Sequence, residues 1–396
     1  MKSNYRYIVK AFMAMAVIAG TTSCDDFLDR EPMSSISPET YYSTAAQLEA
    51  NLNDEYPNVL PSFGQWTYGI FGEDKGTDNQ IEVNANDRYT QDRWKVPHSE
   101  SDNWKFERIY RINFFLSEAL PKFGEDMSGS QNTISGSVAT IKHYIGEMYF
   151  LRAYEYFKKL QLFGDFPIID QPLADEMEAL REASKRFPRN EVARFIISDL
   201  DKAYAYMSDV DMATTRINKD AAMLVKSRVA LFEATWLQNF KGTAFVPGGE
   251  GWPGASLHNN YQYPSGNIDN EVKYFLEQAV EASKLVADKY KGSLTENTGV
   301  LQQSADDPSN PYFDMFAQED LSDVKEVLLW RQYARGLSTH NINAAAGRGN
   351  YRIGLTRGFV QNFLMKDGTP VYAHGSYADG DGYYMGDKTV ADVRVN

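Results

Sequence analysis

The chain of 396 residues holds a single cysteine, Cys24, so no disulfide can form within it. Its stability must come from a packed core, and the length is ample for one. Histidine is also scarce. His98, His143, His258, His340 and His374 lie far apart, without the spacing that holds a metal ion. No serine elbow, zinc-binding helix or phosphate loop is present, and Gly347-Arg348-Gly349-Asn350 lacks the strand-to-helix context of a phosphate cradle. No apolar run is long enough to stay in a bilayer, the longest at the front being Ala11–Gly20. Positive charge is in deficit. The formal net charge of −14 argues against nucleic acid as a partner and against a body lying flat on anionic lipid.

The short apolar run follows Lys2, Arg6 and Lys10 and leads into Thr21-Thr22-Ser23-Cys24. A basic start, an apolar core and small residues before the chain's one cysteine make residues 1–23 a secretion signal of the lipoprotein kind. Cleavage before Cys24 would leave its thiol to carry diacylglycerol, although position −3 is Thr21 where leucine is commoner. The competing reading is an ordinary signal cut nearby, leaving a free thiol. Acyl chains would hold the protein on a membrane through a tether over residues 24–43, with no spanning helix.

Aromatic residues are plentiful, with 25 Tyr and 22 Phe. Many sit on segments of helical period. Helices are expected from Ala45 to Glu55 behind a Thr44 cap, from Trp104 to Phe123, and across Ser137–Gly164. Three more are expected over Pro188–Tyr206, Asn218–Phe240 and Asn270–Lys291. The inward faces of the last two include Leu224, Leu231, Leu276 and Val280. The 137–164 segment is apolar on nearly every face, which marks a helix surrounded by others. Glu155 with Lys158 and Lys159 gives it one solvated ion-pair edge, and Gly164 ends it. Asn113, mid-helix, is expected to bond a buried backbone group. Glu326–Arg335 alternates like a strand. The pattern is an array of antiparallel helical pairs without a strict 34-residue repeat.

Arg152-Ala153-Tyr154-Glu155-Tyr156-Phe157 followed by Leu162-Phe163-Gly164-Asp165-Phe166-Pro167 resembles the SusD/RagB family, the outer-membrane nutrient-binding lipoproteins of the Bacteroidota. Phe27-Leu28-Asp29 with Pro32–Tyr42, Trp104 with Tyr110 and Asn113, Thr356–Phe363, and Asp367-Gly368-Thr369-Pro370 resemble further family segments in the expected order. Asp25-Asp26 resembles the surface-export signal of such lipoproteins. The resemblance implies a mainly α fold, a tetratricopeptide-like superhelix of four helical pairs with long irregular loops and few short strands, over residues 44–396. It also implies a non-catalytic outer-membrane, cell-surface protein that binds oligosaccharide and delivers it to a SusC-like TonB-dependent transporter. Family members continue through an Arg-Asp-x-Arg-Leu motif and a sizeable C-terminal subdomain. This sequence ends at Asn396 within Ala391-Asp392-Val393-Arg394-Val395, so that subdomain is expected to be truncated.

Two irregular aromatic stretches are the candidate ligand surfaces. Pro57–His98 offers Trp66 and Trp94 with Asp74 and Asn86, and Thr243–Gly266 offers Trp252, Tyr261 and Tyr263. Aromatic rings cover the apolar faces of sugars while Asp and Asn bond the hydroxyls. Each tryptophan could instead plug the core beneath its loop. Glu73-Asp74 and Asp306-Asp307 could serve as glycosidase carboxylates, though surface solvation suits an acidic chain better. A third reading is a protein-interaction module with no small ligand. No cofactor is expected. Asp379-Gly380-Asp381-Gly382 with Asp387 hints at calcium, but Tyr383 would occupy position five of such a loop and fits poorly.

Overall fold

The structure, a computed structural model, describes residues 41–62, 74–82, 103–124, 126–207, 212–300, 304, 306–340, 353–364 and 368–370. Residues 1–23, Cys24, Trp66, Asn86, Trp94 and the acidic run at 379–387 lie outside the described residues. The long helices are α1 (Ala45–Val59), α2 (Glu107–Phe123), α3 (Val138–Phe163), α5 (Arg189–Tyr206), α6 (Lys219–Asn239) and α7 (Ile268–Tyr290). Shorter ones are α4 (Met177–Ala183), α8 (Pro311–Met315) and α9 (Arg357–Gln361). Strands β1 (Gln80–Glu82) and β2 (Ile353–Leu355) pair antiparallel, with Ile81 opposite Gly354.

Local chemistry sets the ends of these helices. Thr44 and Gln47 form a reciprocal capping box on α1. The side chains of Ser137, Asn218 and Asn267 accept the first free N–H groups of α3, α6 and α7. Gly164 closes α3 at φ +68°, a left-handed conformation that glycine adopts without a Cβ clash.

Contacts at both ends of the helices show that neighbours run antiparallel. The end of α3 meets the start of α5 at Gly164 and Arg189, while Gly146 near the start of α3 lies against Ala203 and Met207 at the far end of α5. Arg189 reaches Glu233, and Lys226 reaches Asp201, which reverses α6 on α5. Lys241 pairs with Asp269 at one end of α6 and α7, and Asp220 with Lys289 at the other. Antiparallel helical pairs are therefore the architecture, as the residue periodicity indicated.

α3 is the axis of the array. Tyr144, Ile145, Met148, Phe150, Leu151, Tyr156 and Leu160 are all buried, on faces that meet α1, α2 and α5. Each such side chain contributes about 1.5–3 kcal/mol through removal from water. Arg152 is 3 % exposed and donates two bonds to Asp199 of α5, at 2.7 and 2.8 Å. The remaining guanidinium nitrogen of Arg152, Nη1, donates to the amide oxygen of Asn113 of α2 and to the carbonyl of Asp170, each at 2.9 Å. Asn113 in turn donates to the carbonyl of Ile169 at 2.8 Å, the buried backbone bond expected of it. The Tyr156 hydroxyl accepts from Ile169 N–H at 2.7 Å and donates to Ile169 C=O at 3.0 Å. The extended run after Pro167 is thus stitched onto the helix by side chains of the Arg-Ala-Tyr-x-Tyr motif.

Three details differ from the sequence reading. The Glu155–Lys159 edge is buried rather than solvated, and Lys159 donates to the carbonyl of Asn103. Leu224, Leu231, Leu276 and Val280 face outward, because α6 and α7 already bury their remaining faces against each other and α5. Glu326–Arg335 forms no strand. Among the described residues it pairs with no strand and is fastened instead to the start of α6 and the connector before it, with Asn218 donating to Leu328 C=O at 2.6 Å and Trp330 to the Thr214 hydroxyl at 2.8 Å.

Removing the carboxylate of Asp199 leaves the Arg152 guanidinium buried without its partner. Asp199→Ala is expected to cost about 3–5 kcal/mol, read from urea unfolding followed by far-UV circular dichroism. A loss below about 1 kcal/mol, the scale of an exposed ion pair, would show that this pair does not hold α3 to α5.

Candidate ligand-binding surfaces

The connection between α6 and α7 is held to the scaffold at several points. Trp252, only 5 % exposed, donates its indole N–H to Asp165 at 2.7 Å. Its ring lies 5.9 Å from the His258 ring, stacked, and 5.6 Å from that of Tyr261. Gly254 permits this packing, since a Cβ there would fall 2.2 Å from the indole. The Tyr261 hydroxyl exchanges hydrogen bonds with the Asn190 amide at 2.9 and 3.1 Å, and Tyr263 donates to Pro247 C=O at 2.7 Å. The structure thus brings Trp252, Tyr261 and Tyr263 into one cluster, with Trp252 as the buried anchor. The two tyrosines are half-buried and keep part of their surface in solvent. Asp74 is elsewhere, exposed in the turn before β1, where its carbonyl accepts from the Thr77 hydroxyl at 2.7 Å.

Beneath the cluster lies a buried polar layer. Arg189 donates to Glu233 at 2.8, 3.0 and 3.2 Å, and its guanidinium sits 4.1 Å over the Trp236 ring. Glu271 accepts from Arg194 at 2.7 and 2.9 Å, from Asn190 at 3.1 Å and from Ser265 N–H at 3.1 Å. Burial works against ionised Glu271, but the bonds from Arg194, Ser265 and Asn190 outweigh it and hold its carboxyl below the ordinary glutamate range. Burial pushes Asp165 up, with the Trp252 and Arg189 N–H groups opposing. Burial likewise raises Tyr263, helped by the charge of Glu233, so its hydroxyl stays a donor.

Away from this cluster, a groove of about 1040 Å³ lies between the end of α1, the middle of α3, the start of α6 and residues 326–333. Tyr56, Phe150, Tyr154, Trp330 and Tyr333 contribute rings to it, and Arg216 contributes charge. Arg216 is bound to Glu147 at 2.8 and 2.9 Å, and Tyr56 donates to the same carboxylate at 2.5 Å. Sequence reasoning missed this groove, because its residues come from distant segments, read as helix, as a strand-like run, as connector or as the irregular stretch from Pro57, and nothing in the sequence places them side by side. Among the described residues, no group of His, Cys, Asp and Glu is arranged to hold a metal, and no helix is long and apolar enough to cross a membrane.

The family model described as "Starch-binding associating with outer membrane", of the SusD-like kind, matches residues 26–231, more than half of the chain. The chain belongs to the SusD-like family. SusD-like protein P2 of Formosa agariphila is 25% identical over 253 residues, which cover 61% of this chain and 46% of the relative. Two solved SusD-like proteins of Bacteroides fragilis share the fold at a TM-score of 0.52 each. One, described as a carbohydrate-binding protein, is 14% identical and aligns over 85% of this chain and 57% of its own. The other is 19% identical, over 89% and 58%. At these identities the solved structures establish the fold alone. The chain spans about half the length of the curated relatives it matches.

The lowered Glu271 carboxyl fixes the sign of a pH effect. Its stabilising contribution is full above its unfolded value, near the ordinary 4.5, and is lost as pH falls through the lower folded value. The gap in thermal midpoint between the parent protein and Glu271→Gln should be widest at neutral pH and should close as pH drops below about 4.5. A gap that widens on acidification would reverse the assignment.

Proposed function

We propose that this SusD-like chain is a cell-surface glycan-binding protein, anchored through lipid on Cys24, that captures oligosaccharide and hands it to a SusC-like TonB-dependent transporter in the outer membrane. The observation that carries this reading is the family match over residues 26–231, in a family described as starch-binding and outer-membrane associated. The helical array supports it by supplying a stiff platform, on which the connection between α6 and α7 is pinned before any ligand arrives. Pre-organised aromatic surface loses less freedom on binding and so binds more tightly.

Tyr261 and Tyr263 are the contacts proposed on that connection, with Trp252 holding them from below. Trp66, Trp94, Asp74 and Asn86 are proposed for the other aromatic stretch, where rings would stack on sugar faces and polar groups would bond hydroxyls. The role is binding without turnover. The buried carboxylates Asp199, Glu233, Glu271 and Glu147 are each bound to an arginine and closed off from solvent, which puts them out of reach of a substrate.

Native affinity electrophoresis of the mature protein against a polysaccharide panel tests this reading. At least one glycan should retard migration, and Trp66→Ala or Trp94→Ala should weaken retention roughly tenfold, the loss of one or two kcal/mol typical of an aromatic contact. The thermal midpoint should stay put. Turnover of the retarding glycan, or retention unchanged by both substitutions, would overturn the proposal in its mechanism or in its site.

A further inference from the structure

We propose that Asp165 is the positioning residue of the connection between α6 and α7, holding its middle in place through Trp252. Asp165 comes from neither of those helices. It follows Gly164 at the end of α3, and one carboxylate there serves two elements at once. One oxygen accepts the Arg189 N–H that opens α5, at 2.9 Å, and the other accepts the Trp252 indole N–H at 2.7 Å. Charge-assisted bonds of this kind are shorter and stronger than neutral ones. Gly164, at φ +68°, turns the chain so that Asp165 faces both donors, and a Cβ on that glycine would stand 3.3 Å from the Arg189 guanidinium.

The other ties of this connection lie to either side of Trp252. Trp236 donates to Phe245 C=O at 3.1 Å, the His258 ring bonds Arg186 C=O at 2.8 Å, and Tyr261 and Ser265 reach Asn190 and Glu271. Trp252 packs between them against both His258 and Tyr261. Releasing its indole from Asp165 therefore frees the packing surface on which Tyr261 rests. Asp165 needs no ligand contact of its own to set where the tyrosines stand.

The two bonds make a sharp chemical demand. Both partners are donors, so only a group with two acceptor oxygens satisfies both. Asparagine offers one acceptor and one donor, and in Asp165→Asn an amide N–H must face either the Arg189 N–H or the indole N–H. Trp252→Phe keeps an aromatic ring, smaller than the indole, and removes the indole donor, so it relieves that conflict.

The test is a double-mutant cycle on the full chain, read by the rate of chymotrypsin cleavage within residues 243–266, with the urea midpoint followed by far-UV circular dichroism as the control. Asp165→Asn and Trp252→Phe should each speed cleavage roughly tenfold, the fold-change that loss of one hydrogen bond to a charged group carries. The double variant should be no faster than Asp165→Asn alone. The Trp252 emission component, taken as Asp165→Asn minus the double variant, should lie to the red of the parent's component, taken as parent minus Trp252→Phe. Cleavage as slow as in the parent, or effects that multiply independently, would overturn the proposal. So would a urea midpoint that falls in step with cleavage, because the aspartate would then support the whole scaffold rather than this connection. If Asp165→Asn does not fold, Trp252→Phe decides alone by the same cleavage rate. The consequence for ligand rests on the proposed glycan surface. If the connection opens as expected while glycan retention is unchanged, Asp165 still holds it, and the assignment of Tyr261 and Tyr263 to the ligand surface is what fails.

Discussion

Buried arginine–carboxylate pairs decide how the helices of this protein sit on one another. Arg152 with Asp199 joins α3 to α5, Arg189 with Glu233 joins α5 to α6, and Arg194 with Glu271 joins α5 to α7. Arg216 with Glu147 fixes the connector before α6 to α3. A buried pair adds little net stability over a well-packed apolar pair, but a buried charge without its partner costs several kcal/mol. Sliding one helix by a turn would strand an arginine against an apolar wall. The guanidinium fork sharpens this, because it accepts a carboxylate in few orientations. With only one cysteine in the chain, such pairs do the registering that cross-links perform elsewhere.

The same layer runs out to the surface. Asp165 lies at the end of α3 and Glu271 in the first turn of α7, and between them they take up N–H groups of Trp252, Arg189, Arg194, Asn190 and Ser265. The aromatic cluster therefore rests on charges whose positions the core has already fixed. Polar order at the end of α3 and the start of α7 thus sets the shape of the connection above it.

Much of the fold was legible because it is periodic. The helix around Arg152 announced itself by apolar residues on nearly every face and by a glycine at its end, and Asn113 by a polar side chain in an apolar stripe. The extended run at 326–335 was misread because alternation of apolar residues does not say whether a partner strand exists. The Glu155–Lys159 edge was misread because spacing cannot tell that α3 is covered on that side too. Trp252 illustrates a deeper limit. Composition showed an aromatic in a Gly/Pro-rich stretch, but whether its ring faces water depends on Asp165, 87 residues earlier in the chain. The groove beside residues 326–333 was invisible for the same reason, since no single segment carries it.

The ion pair between Lys241 and Asp269 closes the base of the connection between α6 and α7, just where one helix ends and the next begins. Both partners are exposed, so the pair itself is worth no more than about 1 kcal/mol. Between such stems the number of residues can vary at low entropic cost, about 0.6 kcal/mol for each doubling. The residues that meet Asp165, Asn190 and Glu271 have no such freedom, because losing one leaves a buried polar group of the helices without its partner. The connection is in this sense a bracket with a few fixed bolts and slack between them.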